Sequence, residues 1–235
     1  MYRFQTRPLY LQVSDALLAK IRSKDWVPDQ QLPNEQQLAV DFGVSSGTMR
    51  KALQILVDKH VLRRVQGRGT FVSSFDAESL SLRFYAFKGY EGYTTVAEAK
   101  VSSGHATEDE QRLLDLRPAH RVVRIERLRH MNDSPYNIEE IVIPERLFTS
   151  PITEDEASAF ILLLCFERAG VLAKSAVERL WPLAADEELA TRLEVPLGTA
   201  LLKSERVVSD SDDRPFELRR RITFLGPGYY EAKLP

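Results

Sequence analysis

The sequence predicts two domains: an N-terminal winged helix-turn-helix, α-helical with a β wing, and a C-terminal α+β domain with an antiparallel sheet. Three features support this prediction: a helix-turn-helix pattern followed by a hairpin, a repeated helix–strand–hairpin unit, and opposite charge in the two parts. Residues 1–75 contain 11 lysines and arginines against 6 acidic residues, whereas residues 76–235 contain 21 against 28. A basic small domain joined to an acidic larger one indicates that only the first meets a polyanion.

The predicted domain boundaries are 1–73 for the first domain and 80–235 for the second, joined by the small, polar segment 74–79 as a linker. The chain contains no run of about 18 apolar residues, so we expect no membrane span, and its start is too polar for a signal peptide. The single cysteine, Cys165, lies in an apolar stretch and is predicted to be a buried core thiol. We therefore expect a protein of the reducing cytoplasm.

The first domain opens with two predicted helices and a tight turn. Apolar residues at helical spacing predict a helix over 8–24, and the stretch LPNEQQLAVDFG predicts a second helix. Asn34 is a suitable N-cap for the second helix, and Gln37 stands where it can complete a capping box. Gly43 suits the left-handed position after that helix, and Ser45 is the predicted N-cap of a third helix.

The third helix separates an apolar face from a small, polar and basic face. Its apolar stripe is formed by Met49, Ala52, Leu53, Leu56 and Val57. The opposite face carries Ser46, Gly47, Arg50, Lys51 and Gln54. Short side chains let the backbone N–H groups and the helix dipole approach phosphate, and Arg50 can reach a base edge or a phosphate. The pattern fits a recognition helix, and an ordinary helix corner with a solvated face is the alternative.

The stretch VLRRVQGRGTFV predicts a hairpin directly after the third helix. Gly67 and Gly69 allow positive φ in its turn, and Arg68 lies between them at the tip, where it can enter the minor groove. A hairpin that follows a recognition helix is a wing. A plain hairpin with a solvated arginine is the alternative interpretation.

Together, PLYLQVSDALLAKI, LPNEQQLAVDFGVSSGTMRKAL and GRGTFV resemble the GntR family of bacterial winged-helix transcription factors over residues 8–73. Gln36 and Ser46 replace two arginines that are usual in the family, whereas Arg50 is retained, so the resemblance implies DNA binding with an altered operator sequence. The DNA-contacting positions implied by pattern and resemblance are Gln36, Ser45, Ser46, Gly47, Thr48, Arg50, Lys51, Gly67, Arg68 and Gly69.

The second domain contains an internal repeat. Residues 112–143 parallel residues 191–224 at an offset of 79, and Glu126-Arg127 corresponds to Glu205-Arg206. Two such units related by approximate symmetry predict an α+β domain around an antiparallel sheet, and chance similarity between two hairpins is the alternative. The predicted strands lie near 95–102, 120–131, 136–143, 171–181, 199–208, 215–224 and 228–233. The predicted helices are TEDEQRLLDL, with Thr107 as its cap, EDEASAFILLLCFERAG and AADEELATRLEV.

One predicted strand, VVRIERLRH, is a candidate ligand-binding element. It places on one face Val123, Ile125, Arg127 and Arg129. Two arginines that continue an apolar row indicate capture of a carboxylate or a phosphate. The alternatives are a salt bridge with Glu139 or Glu140 on the neighbouring strand and a solvent-facing sheet.

Residues 80–235 resemble, more loosely, the UTRA effector domain of the HutC-like branch of that family, which shares its fold with chorismate lyase. Family positions that bind small effectors are matched by Phe84, Arg127, Arg129, Glu139 and Tyr229, with Tyr230 as an alternative to the last. Phe160 and Leu162 stand where the family often has Ser-x-Tyr, which implies a more apolar pocket on that side and argues against a sugar phosphate. The resemblance also implies dimerisation through this domain.

The predicted function is a ligand-responsive transcription regulator, a repressor that a small anionic metabolite releases from double-stranded operator DNA. A homodimer is expected because one recognition helix reads only a half-site. A chorismate-lyase-like enzyme domain fused to a DNA-binding module is the alternative, and an architectural DNA binder without a ligand is a third interpretation. The four histidines form no metal-ligand spacing and no nucleophile–base motif, so we expect no catalysis, no metal and no cofactor.

Overall fold

The computed structural model describes residues 7–23, 25–59, 61–73, 87–89, 93–210 and 212–231. The chain forms two compact units, one N-terminal and one that contains most of the remaining chain. The predicted linker and the candidate site residue Phe84 lie outside the described residues. Among the residues that are described, no helix is both long and apolar enough to cross a membrane.

Where the structure describes it, the N-terminal unit contains three helices and a two-stranded hairpin, as the sequence predicts. Its elements are α1 (Leu9–Arg22), α2 (Glu35–Asp41), α3 (Ser46–Asp58), β1 (Leu62–Val65) and β2 (Gly69–Val72). Its buried core includes Val13, Leu17, Ile21, Leu38, Met49, Ala52, Leu53 and Leu56. Because the apolar stripe of α3 packs into this core, the polar and basic face of the helix lies at the surface.

Two side-chain caps and one glycine fix the turn between α2 and α3. Asn34 accepts a hydrogen bond from the backbone N–H of Gln37 at 2.8 Å, and Ser45 accepts one from the N–H three residues later at 3.2 Å. Gly43 has a φ of 62°, the left-handed conformation predicted after α2. The predicted capping box is not formed, because the Gln37 amide donates instead to Asp41, one helical turn further on, at 2.7 Å.

The C-terminal unit is built on a six-stranded sheet. Its strands are β4 (Thr94–His105), β5 (Arg121–Met131), β6 (Ser134–Pro144), β7 (Ser175–Ala184), β8 (Ala200–Ser209) and β9 (Pro215–Thr223). They are antiparallel throughout and lie in the order β4-β5-β6-β9-β8-β7, which confirms the predicted antiparallel sheet. A separate pair consists of β3 (Phe87–Lys88) and β10 (Tyr229–Tyr230).

Two strand predictions need correction. The strand predicted over 171–181 begins later, because pairing with β8 starts only where Ser175 meets Ser209 at the end of that strand. The strand predicted over 228–233 is reduced to Tyr229–Tyr230, and its partner β3 has no counterpart in the prediction.

The described part of this unit also contains four short helices and one 3-10 helix. They are α4 (Glu108–Leu114), the 3-10 helix (Glu145–Leu147), α5 (Glu154–Ser158), α6 (Ile161–Ala169) and α7 (Glu187–Leu193). The prediction of a single helix over EDEASAFILLLCFERAG is wrong, because Ala159 has an extended backbone (φ −75°, ψ 178°) that separates α5 from α6. The break leaves backbone carbonyl groups without a helical donor, and a side chain of the sheet takes this role.

The predicted repeat is confirmed in backbone detail. Helices α4 and α7 begin and end 79 residues apart. Thr107 caps one helix and Asp186 the other, and both helices end on a left-handed residue, Asp115 (φ 49°) and Glu194 (φ 54°). Because β6 and β9 pair at the centre of the sheet, each repeat supplies two consecutive strands, and the strand that precedes each repeat, β4 or β7, forms the edge.

The two faces of the sheet differ in character. On the apolar face, α4 covers a cluster that includes Val122, Val142 and Leu218, and α7 covers a second cluster with Leu201. On the opposite face, charged side chains of β5, β6, β8 and β9 are buried, and α5 receives hydrogen bonds from β5. Apolar burial therefore holds two helices on one face, while the other face, here called the polar face, carries the buried charged side chains.

Candidate functional site

The surface of α3 carries most of the DNA-binding positions that the sequence predicts. The exposed positions at and beside this helix are Gln36, Ser45, Ser46, Gly47, Arg50 and Lys51, while Thr48 is half-buried. The helix start carries only short side chains, which leaves room for a phosphate beside the backbone N–H groups that the Ser45 cap does not use.

Arg50 is held by an acidic residue of the preceding helix. Its Nε donates to Glu35 Oε1 at 2.8 Å, and the Arg50 side chain is 69% exposed. Because Glu35 engages Nε, the two terminal nitrogens, which form the fork that recognises guanine or phosphate, are not used by this bond. Lys51 lies beside Arg50 in sequence but leans towards α1, where its Nζ is 5.2 Å from the centre of the Tyr10 ring.

The hairpin β1–β2 has the geometry of a wing. Gly67 and Gly69 have φ values of 72° and 110°, as their place in the turn predicts. The backbone carbonyl of Arg68 accepts a hydrogen bond from Gln31 Nε2 at 2.6 Å, and its guanidinium lies 5.5 Å from the ring of Phe71. The tip is thus anchored to the body of the unit, while the Arg68 side chain is exposed.

The polar face contains a group of charged residues that we call the buried charge cluster. Its members are Arg127, Glu139, Glu178, Arg206, Glu217, Arg219 and Arg221. Six of them are at most 4% exposed, and the side chain of Glu178 is 11% exposed. Counted over the described residues, four arginines against three glutamates give this cluster one excess positive charge, and the half-buried Arg129 lies beside it. Excess buried charge is unfavourable unless it is paired.

Arg127 and Glu139, both predicted site residues, form an ion pair across β5 and β6. Arg127 Nε and Nη2 donate to Glu139 Oε2 at 2.9 and 2.5 Å. Its Nη1 donates to the backbone carbonyls of Ala157 and Ala159 at 2.9 and 2.8 Å, the carbonyls released where the chain leaves α5. Arg127 therefore links the acidic centre of the sheet to the helix above it.

Glu139 is the centre of the cluster. Its Oε1 accepts hydrogen bonds from Arg219 Nη1 at 2.9 Å and from Arg221 Nε at 2.8 Å. Burial acts to raise the pKa of Glu139, but the charges of Arg219, Arg127 and Arg221 outweigh it and hold the pKa well below its usual value. The Glu139 carboxylate is consequently ionised at neutral pH and shared among three arginines.

At the other end of the cluster, Glu178 of the edge strand β7 bonds to Arg206. Arg206 Nη2 donates to Glu178 Oε1 at 3.0 Å, and the hydroxyl of Tyr230 donates to Oε2 at 2.7 Å. Burial and the hydrogen bond to Glu178 raise the pKa of Tyr230 to about 12, so the phenol remains a donor at neutral pH.

The remaining predicted effector positions are distributed unevenly. Arg129 is half-buried beside the cluster, and its Nη2 donates to Thr94 Oγ1 at 3.2 Å. Tyr229 is 52% exposed, whereas Tyr230, its alternative, reaches the cluster through Glu178. The structure thus brings Arg127, Arg129 and Glu139 together and places the side chain of Tyr229 at the surface.

Sequence reasoning missed the second half of the cluster. Glu178, Glu217, Arg219 and Arg221 were not predicted as site residues. One signal was available: three consecutive arginines at 219–221 in a strand must place the first and third on one face. Cys165 is fully buried, as predicted, and burial raises the pKa of its thiol. Within the described part of the chain, no group of three or more His, Cys, Asp or Glu residues could hold a metal ion.

Each of the two units is matched by the model of a different protein family. The model for bacterial regulatory proteins of the gntR family matches residues 9–72, which contain α3 and the wing. The model for the UTRA domain matches residues 94–223, which contain the six-stranded sheet and the buried charge cluster.

Comparison with individual proteins finds relatives along most of the chain. It is 29% identical to the HTH-type transcriptional repressor NagR of Bacillus subtilis, with 92% of this chain and 90% of that protein covered. It is also 29% identical to the mannosyl-D-glycerate transport/metabolism system repressor MngR of Escherichia coli, with 91% and 90% covered. A crystal structure of the ligand-binding domain of a protein described as a GntR-family transcriptional regulator from Bordetella bronchiseptica is 28% identical. It superposes with a TM-score of 0.60 and covers 65% of this chain and 98% of that one.

Proposed function

Because the chain belongs to the GntR family of bacterial regulatory proteins and carries a UTRA domain, we propose that it is a transcriptional repressor controlled by a small anionic metabolite. It acts in the cytoplasm by binding operator DNA as a homodimer, and it performs no catalysis. Two relatives that are 29% identical to it over about nine-tenths of the chain are named repressors, which supports the direction of control.

The N-terminal unit is proposed to read the operator. Exposed small residues at the start of α3 allow phosphate contact, Arg50 offers its terminal nitrogens to a base edge or phosphate, and Arg68 extends from the wing. A single α3 covers only a half-site, so two copies are needed to bind a symmetric operator.

The observation that carries the ligand proposal is the excess positive charge buried in the cluster. A carboxylate or phosphate beside Arg129 would offset this excess and receive charge-assisted hydrogen bonds. The name of the Escherichia coli relative refers to mannosyl-D-glycerate, and a glycerate is a carboxylate, which fits an anionic effector.

A route from ligand to conformational change follows from Arg127. A ligand anion at Arg129 competes with Glu139 for the neighbouring arginines. Arg127 bonds both to Glu139 and to the carbonyls that follow α5, so a change at Glu139 is passed to that helix. A difference in ligand affinity of about 1–3 kcal/mol between two dimer arrangements suffices for a useful switch.

The DNA part of the proposal is tested by Arg50→Ala. We expect operator affinity to fall by about 1–3 kcal/mol with a nearly unchanged melting temperature, because Arg50 is 69% exposed and a surface ion pair such as that with Glu35 contributes little to stability. Arg192→Ala, which removes an exposed arginine of α7, is the matched control and should bind DNA like the wild type. Unchanged affinity of the Arg50→Ala protein would remove α3 as the reading helix.

The ligand part is tested by calorimetric screening of carboxylated and phosphorylated metabolites, followed by operator-release assays. Arg129→Ala should still bind the operator but no longer release it when the selected compound is added. Arg129 is preferred to Arg127 here because Arg127 also holds α5. Selection of neutral compounds only, or a variant that responds like the wild type, would show that the anion proposal is wrong.

A further inference from the structure

The carboxylate of Glu178 is bound as a ligand carboxylate would be. Its Oε1 accepts from Arg206 Nη2 at 3.0 Å and from Arg206 Nε at 3.2 Å, and Arg221 Nη1 lies 3.5 Å away. Its Oε2 accepts from the Tyr230 hydroxyl at 2.7 Å. Two guanidinium groups and a phenol that converge on one carboxylate are the donors expected at a carboxylate- or phosphate-binding site.

Ser204 lies next to these donors, and its hydroxyl is a further hydrogen-bonding group for a ligand. It stands opposite Arg221 in the sheet register and precedes Arg206 by two residues, so its side chain is on the polar face. Ser204 is fully buried, and among the described residues its Oγ has no hydrogen-bond partner. A buried hydroxyl without a partner is unfavourable, and an oxygen of a bound anion would satisfy it.

The arginines here are also crowded. Burial and the nearby charge of Arg221 lower the pKa of Arg206 to about 10, although Glu178 opposes this effect. The part of the cluster supplied by β7, β8 and β9 contains three arginines and two glutamates, among the residues that are described. An anion is therefore needed at this end to offset the repulsion between Arg206 and Arg221.

We infer that Arg206, Arg221 and Ser204 form a second anion subsite, which the Glu178 carboxylate occupies and which a second acidic group of the effector takes over. The inference rests on the proposed function and narrows its ligand to compounds with two separate acidic groups, such as dicarboxylates or phosphorylated carboxylates. A ligand can displace the Glu178 carboxylate because Glu178 belongs to an edge strand and is partly exposed, so its side chain can turn into solvent.

The sheet geometry sets the separation of the two acidic groups. Through β6 and β9, Arg129 on β5 lies in line with Leu202 on β8, and Arg206 is four residues further along β8. At about 4.8 Å per strand and about 3.3 Å per residue, the backbones of Arg129 and Arg206 are about 20 Å apart. Each guanidinium shortens this gap by several ångströms. The two acidic groups must consequently be joined by a short chain of atoms instead of sharing one atom.

The test uses full-length protein and inorganic phosphate as the probe, titrated by calorimetry. Glu178→Gln removes the competing charge with little change of shape and should bind phosphate about tenfold more tightly than the wild type. Glu205→Gln is the matched control, because it removes the same charge from the opposite face, where Glu205 pairs with Arg220. It should stay within about twofold of the wild type.

Further measurements separate the two proposals. In the Glu178→Gln protein, glutarate should bind at least about tenfold more tightly than butyrate, and an added Ser204→Ala should weaken phosphate binding about threefold. Phosphate binding that increases equally in Glu178→Gln and Glu205→Gln, or equal affinity for glutarate and butyrate, would overturn the second subsite and leave the proposed function standing. Failure of phosphate and both carboxylates to bind to any of these proteins would overturn the anionic effector itself.

Discussion

The two repeats of the C-terminal unit share a backbone but not a charge pattern. In both, a side-chain-capped helix of seven residues ends on a left-handed residue and leads into a strand of the central sheet. Both also carry an arginine at the same place, Arg127 in the first repeat and Arg206 in the second. The apolar face packs against α4 in one repeat and α7 in the other, so this face constrains both copies in the same way.

The polar face differs between the repeats. Opposite Arg127 the sheet places Glu139, whereas opposite Arg206 it places Arg219. On the edge strand next to it, Arg127 is paired with Ala99 of β4, whereas Arg206 is paired with Glu178 of β7. The first repeat thus offers its arginine a carboxylate from the centre of the sheet, and the second offers one from the edge. The two repeats therefore share the apolar face that packs against a helix, whereas the charges on their polar face are arranged asymmetrically.

The largest effect is expected from removal of the central carboxylate, that of Glu139. Glu139→Gln leaves three arginines without their shared anion, and we expect unfolding free energy to fall by about 3–5 kcal/mol. Glu140→Gln is the control one residue away on the opposite face, where a partly exposed pair with Arg220 predicts a loss below about 1 kcal/mol. Denaturant unfolding measures both, and equal losses would show that the two faces do not differ as described.

A second prediction concerns pH. The folded-state pKa of Glu139 is lowered, so its ionisation stabilises the fold above the unfolded-state pKa of about 4.3 and this stabilisation is lost as pH falls towards the folded pKa. The difference in stability between wild type and Glu139→Gln should therefore shrink as pH is lowered from about 6 towards 3. Urea unfolding at several pH values checks this. A constant difference would assign the effect to packing instead of charge.

The sequence predicted the scaffold better than the charge cluster. Caps such as Thr107 and the helical and strand periodicities are local signals, so both repeats and the antiparallel sheet could be predicted. The division of α5 from α6 could not be predicted, because there the carbonyl groups of Ala157 and Ala159 accept hydrogen bonds from Arg127, which lies some 30 residues earlier in the chain. Glu178 was missed for the same reason: its partner Arg206 lies on another strand, and only strand order brings them together.

The caps provide a comparison that should give nearly equal results. Thr107 and Asp186 each accept a hydrogen bond from the backbone N–H three residues on, so alanine at either position should cost about 1 kcal/mol. Thr107 is also part of a capping box with Glu110, which Asp186 lacks, so the Thr107→Ala loss should be the larger of the two. Thermal unfolding of both variants measures this, and a cap without effect in one repeat would limit the symmetry to backbone shape.

The smallest expected effect tests the shared backbone most directly. Asp115 and Glu194 both have a left-handed backbone, which is strained for residues with a Cβ atom and relaxed for glycine. Glycine at either position should therefore stabilise the protein by about 0.5 kcal/mol after the greater entropy of the unfolded chain is subtracted. The gain should be larger for Glu194→Gly than for Asp115→Gly, because aspartate tolerates this conformation better than glutamate. Alanine at each position is the control, since it keeps the Cβ atom and should bring no gain. Chemical unfolding with replicate precision of a few tenths of a kcal/mol resolves these differences. A loss of stability on glycine substitution in only one repeat would show that the two helix ends, although alike in φ, are held by different forces.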